Sequence, residues 1–282
     1  MRTGFFTNTS SSMKPTDLTA CSLVITTYNA PDLLDLAIRS ALAQSEPPSE
    51  ILIADDGSTS DTALLIETHR VRASVPLVHH WQEDRGFRAA SSRNRAIAAA
   101  KGNYIVIVDG DILMHRDFIR DHKRLALAGT FIQGSRVLLS KENTLKRFVT
   151  KNITVSLFEK GLENRKNVLH FPLLSKLIAL KSSSLSGIRS CNMSFFRNDC
   201  LRINGFNEDF IGWGREDSEF ALRMINSGIL RRNVRFSAIA SHLWHPESPK
   251  HQLSANDRLL EQAVVGRLTT CTNGIDKYLA KR

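Results

Sequence analysis

The sequence predicts an α/β fold on a mostly parallel sheet, and three observations carry that prediction. Short apolar runs alternate with segments of helical period through the first half of the chain, the pattern of βαβ units. Three of those runs end in a polar cluster: Thr26-Thr27-Tyr28-Asn29, Asp55-Asp56-Gly57-Ser58 and Asp109-Gly110-Asp111. The chain has 282 residues, 42% of them apolar, enough for one large core. In a parallel sheet, ligands bind beyond the carboxyl ends of the strands, so the three clusters are expected to share one edge.

The elements follow in order. Cys21 to Ile25 is an apolar run of strand length. Asp32 to Gln44 carries Leu33, Leu34, Ala37, Ile38, Ala41 and Leu42 at helical spacing, with Pro31 near its start and Pro47-Pro48 beyond its end. Ile51 to Ala54 is a second strand and Asp61 to Arg70 a second helix. Leu77 to Trp81, Ala89 to Ala100 and Tyr104 to Val108 read as strand, helix, strand. The second half is less regular. Cys191 to Phe196 reads as a strand, and Arg215 to Asn226 as a helix whose apolar face is Phe220, Ala221, Met224 and Ile225, stopped by Gly228. Ile229 to Ala240 contains a further strand. The domain plan is a loose arm over 1–20, a single domain over 21–246 and a helical tail over 247–282.

Composition bounds the function. The net charge is +10, and residues 141–189 hold ten Lys and Arg against three Glu, so +7 of it sits there. Such an excess points to an acidic partner. No recognisable nucleic-acid-binding motif accompanies it, so nucleic acid is not expected. Basic and apolar residues alternate in 141–189, which makes a membrane surface a possible partner. No uncharged apolar run is long enough to span a bilayer, and the first twenty residues lack an apolar signal core. Cys21, Cys191, Cys200 and Cys271 have no CxxC spacing, which favours a reduced, cytoplasmic setting. The glycine-rich, P-loop, HExxH and GxSxG motifs are absent, removing the usual support for nicotinamide redox, P-loop ATPase and α/β-hydrolase chemistry.

Each polar cluster has a plain alternative. Asp109 and Asp111, two residues apart at a strand exit, suit a hard divalent cation, or are solvated acids of a turn. Asp55 and Asp56 suit a uracil N–H and ribose hydroxyls, or are turn and cap residues. Tyr28, after Thr26, suits stacking on a base, or is a tyrosine buried at a strand end. Their order and shared edge favour the functional reading.

With these residues, and with Arg93-Asn94 and Ala99-Ala100-Lys101-Gly102-Asn103-Tyr104, residues 21 to 125 resemble the GT-A fold, family 2-type glycosyltransferases. A second resemblance covers about 190 to 246. Cys191-Asn192-Met193-Ser194-Phe195, Asn204-Gly205-Phe206-Asn207-Glu208-Asp209-Phe210 and Gly212-Trp213-Gly214-Arg215-Glu216-Asp217 are similar to the C-terminal half of the galactosyltransferase and N-acetylgalactosaminyltransferase group. Trp81 to Arg88 resembles the bacterial branch of that group. Arg215 stands where many members carry a small residue.

The resemblance implies an inverting, metal-dependent hexosyltransferase. Residues 21–111 would bind the nucleotide and 112–246 the acceptor. Asp217 is the implied general base, with Glu216 next. Thr26, Tyr28, Asp55, Asp56, Arg85, Arg93 and Asp109 would bind the nucleotide. Asp111 and Asp109, with His242 or its rival His245, would hold Mn2+ or Mg2+. Trp213, Gly214 and Asn192 would contact acceptor or sugar. The implied donor is a UDP-sugar, galactose or N-acetylgalactosamine favoured. The implied acceptor is a growing surface glycan (lipopolysaccharide, O-antigen or capsule), reached from the inner face of the cytoplasmic membrane. The rival reading from another class is a non-catalytic membrane- or polyanion-binding protein on the same fold.

Overall fold

The computed structural model describes residues 20–247 and 250–280. The expected arm therefore lies, Ala20 apart, outside the described residues. In chain order the first half is β1 (Cys21–Thr27), α1 (Pro31–Leu42), β2 (Glu50–Asp55), α2 (Ser60–Arg70), β3 (Leu77–Trp81), α3 (Ala89–Ala99) and β4 (Tyr104–Asp109). Every one matches its sequence-predicted counterpart to within a residue or two. The second half adds β5 (Ile112–Met114), α4 (Phe118–Leu125), β6 (Thr130–Gly134), β7 (Arg136–Leu139), α5 (Lys141–Thr150), β8 (Leu162–Glu163) and α6 (Pro172–Ile178). It closes with β9 (Lys181–Ser182), β10 (Asn192–Phe196), α7 (Arg197–Arg202), α8 (Glu216–Asn226), β11 (Leu230–Val234), β12 (Ala240–His242) and α9 (Leu253–Val265).

The main sheet runs β3-β2-β1-β4-β10-β6-β11-β9. The strands β3, β2, β1 and β4 are parallel, and β10 enters antiparallel between β4 and β6. The central strands β1, β2 and β4 are buried along almost their whole length because both faces are covered. Side-chain alternation divides them. Leu23, Ile25, Val106 and Val108 face a core with Leu34, Ala37, Ile38 and Ala41 of α1. Val24, Ile105 and Ile107 face the opposite core, with Ala96 and Ile97 of α3 and Phe220 and Met224 of α8. Phe220 lies stacked on Phe206 at 4.2 Å and tilted against Phe195 at 5.1 Å. Such pairs add about 0.5–1.5 kcal/mol beyond their burial.

Register places the polar clusters. Thr27 is opposite Asp55, and Thr26 is opposite Asp109, so all three strand exits open on one edge. A second, four-stranded sheet, β5-β12-β7-β8, stands beyond it. There His242 pairs in register with Ile112, next to Asp111.

Two segments gain detail that the sequence did not show. The segment 141–189, where basic and apolar residues alternate, contains α5, α6 and the edge strands β8 and β9. The tail carries the helix α9 and packs back on the domain. After α9 the chain turns through a short 3-10 helix, Ile275–Tyr278, whose Ile275 is wholly buried in the core beneath α3 and α8. The four cysteines are buried and unpaired.

Candidate active site

The site is organised around Arg93. This residue of α3 is nearly fully buried, over the ring of Phe206 at 5.4 Å. Its Nη2 donates to Asp109 Oδ1 at 3.1 Å, its Nη1 to Glu216 Oε1 at 3.0 Å and its Nε to Thr26 Oγ1 at 3.2 Å. One guanidinium thus ties β1, β4 and the first turn of α8 together. Its planar fork of donors suits that task as an ammonium would not. The sequence marked Arg93 as a diphosphate contact; its role as the hub between two acidic segments has no sequence signal.

Asp217 follows Glu216 at the start of α8. Its Oδ2 accepts from the Ser190 N–H at 3.3 Å and its Oδ1 from Ser218 Oγ at 3.2 Å. Burial, reinforced by the Glu216 charge, pushes its carboxyl up to about 7, against the pull of Arg93. Asp109 is likewise raised, to about 6, by burial against the pull of Arg93, with Asp111 repulsion adding. Before α8 the chain makes left-handed turns at Gly212, Gly214 and Arg215, with φ of 79°, 105° and 78°. Arg215 also forms a 2.6 Å ion pair with Asp257 of α9. Trp213 is 40% exposed, with Lys250 Nζ 5.3 Å from its ring.

Asp111, His242 and His245 converge beside this group. Asp111 Oδ2 lies 3.6 Å from His242 Nε2 and 3.0 Å from His245 Nε2. One ligand atom from each lies within 4.8 Å of the others. Asp111 Oδ1 is buried and has no hydrogen-bond partner. Two imidazoles, a carboxylate and an orphaned carboxylate oxygen fit a divalent cation, and the nitrogen content favours Mn2+ over Mg2+. Burial lowers the His242 pKa, whereas the Asp111 hydrogen bond raises that of His245 to about 9. Both histidines therefore stand beside Asp111. Asp109 faces Arg93 and is not part of the triad.

The remaining expected site residues are placed differently. Asp55 is fully buried and both its oxygens are engaged, Oδ1 by Ser58 N–H at 2.9 Å and Oδ2 by His79 Nε2 at 2.8 Å. Burial opposes ionisation there, but His79 and Ser58 prevail and hold the carboxyl below its ordinary range. Asp56 accepts from Gln82 Nε2 at 2.5 Å and from the Arg88 N–H at 2.6 Å; burial raises it to about 6. Both acids fasten the turn beneath Tyr28 and Asp84. Tyr28 is exposed and donates to Asp84 Oδ2 at 2.9 Å, so it is not the buried tyrosine of the plain alternative. Arg85 is exposed and pairs with Glu83. Asn192 corrects an expectation. It is wholly buried, donating to the carbonyls of Ser135 and Ala238 and bonded to His122, so it has no free group for acceptor or sugar.

Comparison with known proteins bears on this geometry. The family model described as glycosyl transferase family 2 matches residues 22–197. A second, described as N-terminal domain of galactosyltransferase, matches residues 179–246. Among curated proteins, a chondroitin synthase of Escherichia coli is 26% identical over 88% of this chain and 37% of its own length. A validoxylamine A glucosyltransferase of Streptomyces hygroscopicus subsp. limoneus is 24% identical over 91% of this chain and 56% of its own. The chain therefore spans roughly a third to a half of the length of these relatives. Among solved structures, S. aureus TarS in complex with UDP-GlcNAc matches at TM-score 0.61 and 15% identity, over 88% of this chain and 67% of that one. The mannosyltransferase PcManGT of Pyrobaculum calidifontis, in complex with GDP-Man and Mn2+, matches at TM-score 0.55 and 21% identity, over 91% and 65%. At these identities the two structures establish the shared fold. No described helix is long and apolar enough to cross a membrane. With its family match covering well over half its length, this chain belongs to glycosyl transferase family 2.

Proposed function

We propose that this protein transfers a hexose from a UDP-sugar to a hydroxyl of a growing surface glycan, with inversion at the anomeric carbon. The observation that carries the reading is the Arg93 bridge. It joins the acid at the nucleotide end of the sheet, Asp109, to the segment that bears the base, Glu216-Asp217. Donor and acceptor chemistry thus fall within the span of one side chain.

Asp217 accepts the acceptor hydroxyl's proton while that oxygen attacks the anomeric carbon and the nucleotide diphosphate departs from the opposite face. A single displacement inverts the centre. A carboxyl held near 7 is a competent base at neutral pH. Asp111, His242 and His245 would hold Mn2+, which supplies Lewis-acid stabilisation of the leaving diphosphate. Tyr28 offers an exposed ring for a base, and Trp213 an apolar wall for a sugar. The fold's likeness to the UDP-GlcNAc complex of TarS and to the relatives that build chondroitin supports a nucleotide-sugar donor and a polysaccharide product. Galactose or N-acetylgalactosamine is the favoured sugar, and the cytoplasmic face of the membrane the setting.

The test is a pair of variants. Asp217→Asn lowers transfer by about 10²–10⁴-fold and leaves UDP affinity within a few fold. Asp111→Ala abolishes the extra thermal stabilisation that Mn2+ adds to UDP binding. Full transfer by the first variant removes Asp217 as base; an unchanged Mn2+ effect in the second removes the metal assignment.

A further inference from the structure

One face of the second half inverts the usual order of burial. In α6 the small residues point inward, Ser175 at 0% and the following Ala179 at 5% exposure. The large aliphatic residues point outward, Leu173 at 84%, Leu177 at 76% and Leu180 at 74%. Leu173 and Leu177, four residues apart, share one face of α6, and Leu180 follows just beyond its end; the exposed Phe171, Leu174 and Ile178 flank them. The stripe is not a slack loop. The Phe171 N–H donates to the Phe236 carbonyl at 2.8 Å, and Arg232 Nε donates to the Ala179 carbonyl at 3.0 Å. The helix is held in place with its apolar side to solvent.

The stretch of chain that carries these residues is basic. No Asp or Glu occurs from residue 164 to 198, while Arg165, Lys166, Lys176, Lys181 and Arg189 do. Beside Ile178 and Leu180 opens a cavity of about 520 Å³, lined by Lys181, Arg231, Arg235 and the serines 182, 184 and 186. Arg231 is 6% exposed; its Nη1 donates to the carbonyls of Ser184 and Ser186, and its buried Nε has no hydrogen-bond partner. Cationic and hydroxyl side chains thus line that cavity, a chemistry that suits an anionic oxygen group. The cavity belongs to the sheet edge at β11 and β9, three and four strands along from β4.

We propose that this face docks on an anionic lipid bilayer. The Leu173-Leu177-Leu180 stripe enters the interface between headgroups and acyl chains, and the Lys181-Arg231-Arg235 cavity receives a lipid phosphate. The two halves argue jointly. A soluble polyanion has no use for an outward leucine stripe, and a purely apolar partner has none for an acid-free rim. A bilayer of anionic lipids meets both at once.

The intact chain is sedimented with vesicles of phosphatidylglycerol and phosphatidylcholine, and with vesicles of phosphatidylcholine alone. The mixed vesicles are expected to bind at least tenfold more tightly, and binding falls as salt rises. Leu173→Ser/Leu177→Ser and Lys176→Glu/Lys181→Glu each weaken binding to the mixed vesicles by tenfold or more. These side chains are exposed, so folding and Mn2+-dependent UDP binding stay unchanged, which keeps this test separate from that of the transfer reaction. Absence of binding, or binding untouched by both variants, overturns the proposal. Self-association that the leucine variant abolishes, without vesicle binding, assigns the face to a second copy and equally overturns it.

Discussion

Arg93 shows how one residue makes a charged interior tolerable. Three ionisable groups meet here: Arg93 and Glu216 are buried, and Asp109 keeps about a third of its side chain exposed. Burying a charge is costly, and the cost is offset only while each has its partner. Arg93→Met preserves volume but leaves two acids unpaired. It is expected to cost about 3–5 kcal/mol, read as a fall in the midpoint of denaturant unfolding. Arg93→Lys is expected to recover only part, because a point charge cannot serve three acceptors in different directions. Asp217 gives the complementary prediction. Its folded pKa of about 7 lies above the ordinary 3.8, so the base form is lost as pH falls through 7. Transfer by the holoenzyme is expected to decline about tenfold per pH unit below that point. The same shift acts on stability with a definite sign. The raised pKa stabilises the fold below pH 3.8, and that contribution is lost as pH rises through 7. Asp217→Asn removes the cost of the buried charge, so it is expected to unfold at a higher temperature than the parent at pH 8 and to lose that advantage at pH 4. A pH-independent difference in unfolding temperature rules out this account of Asp217.

At the scale of the element, the turn after β2 shows what a motif specifies. Gly57 sits at φ +98°, and a Cβ there would lie 2.5 Å from Asp84 Cα and 2.6 Å from Asp84 N. Backbone cannot yield as a side chain can. Gly57→Ala is expected to cost about 2 kcal/mol or more and to disturb the Tyr28–Asp84 contact, measurable by unfolding and by UDP affinity together. Here the Asp-Asp-Gly-Ser string was legible as a strand-end cluster, while its detailed chemistry was not. The sequence shows two adjacent acids; only the fold shows that His79 of β3 and Ser58 saturate Asp55. The first seven elements were legible because strand and helix periods differ and β1, β2 and β4 each show an apolar run of three to five residues. The small sheet was not. Its strands β5 and β12 have three residues each and β8 has two, too short to show a period. That sheet nevertheless brings His242 and His245 to Asp111 from more than a hundred residues away. Resemblance named the histidines; strand pairing alone explains why both reach the same carboxylate. Asn192 fails as a site residue for the same kind of reason, since its carboxamide stitches β10 to segments remote in sequence.

At the scale of the molecule, the last residues are structural rather than appended. Asn204 accepts at its carbonyl from the Ile275 N–H at 3.0 Å and at its Oδ1 from the Asp276 N–H at 3.0 Å. Tyr278 reaches Glu208 Oε2 at 3.0 Å and Ser91 Oγ at 3.0 Å, and its ring lies 4.8 Å from the Arg95 guanidinium. These contacts link α3, which carries Arg93, to the 204–210 turn that leads towards α8. A chain ending at 273 loses Ile275 from the core beneath both helices and leaves a cavity among Ala96, Ile97 and Phe206. Removal of a buried isoleucine alone costs about 2–5 kcal/mol. The truncated protein is therefore expected to unfold at least several degrees lower, and its Mn2+-dependent UDP stabilisation to weaken. Ile275→Val in the full chain separates packing from the hydrogen bonds: it is expected to cost about 0.5–1.5 kcal/mol with UDP binding unchanged. Equal unfolding midpoints for the truncated and full chains would instead make the terminal turn a passenger, and α3 would then owe its placement to the sheet alone.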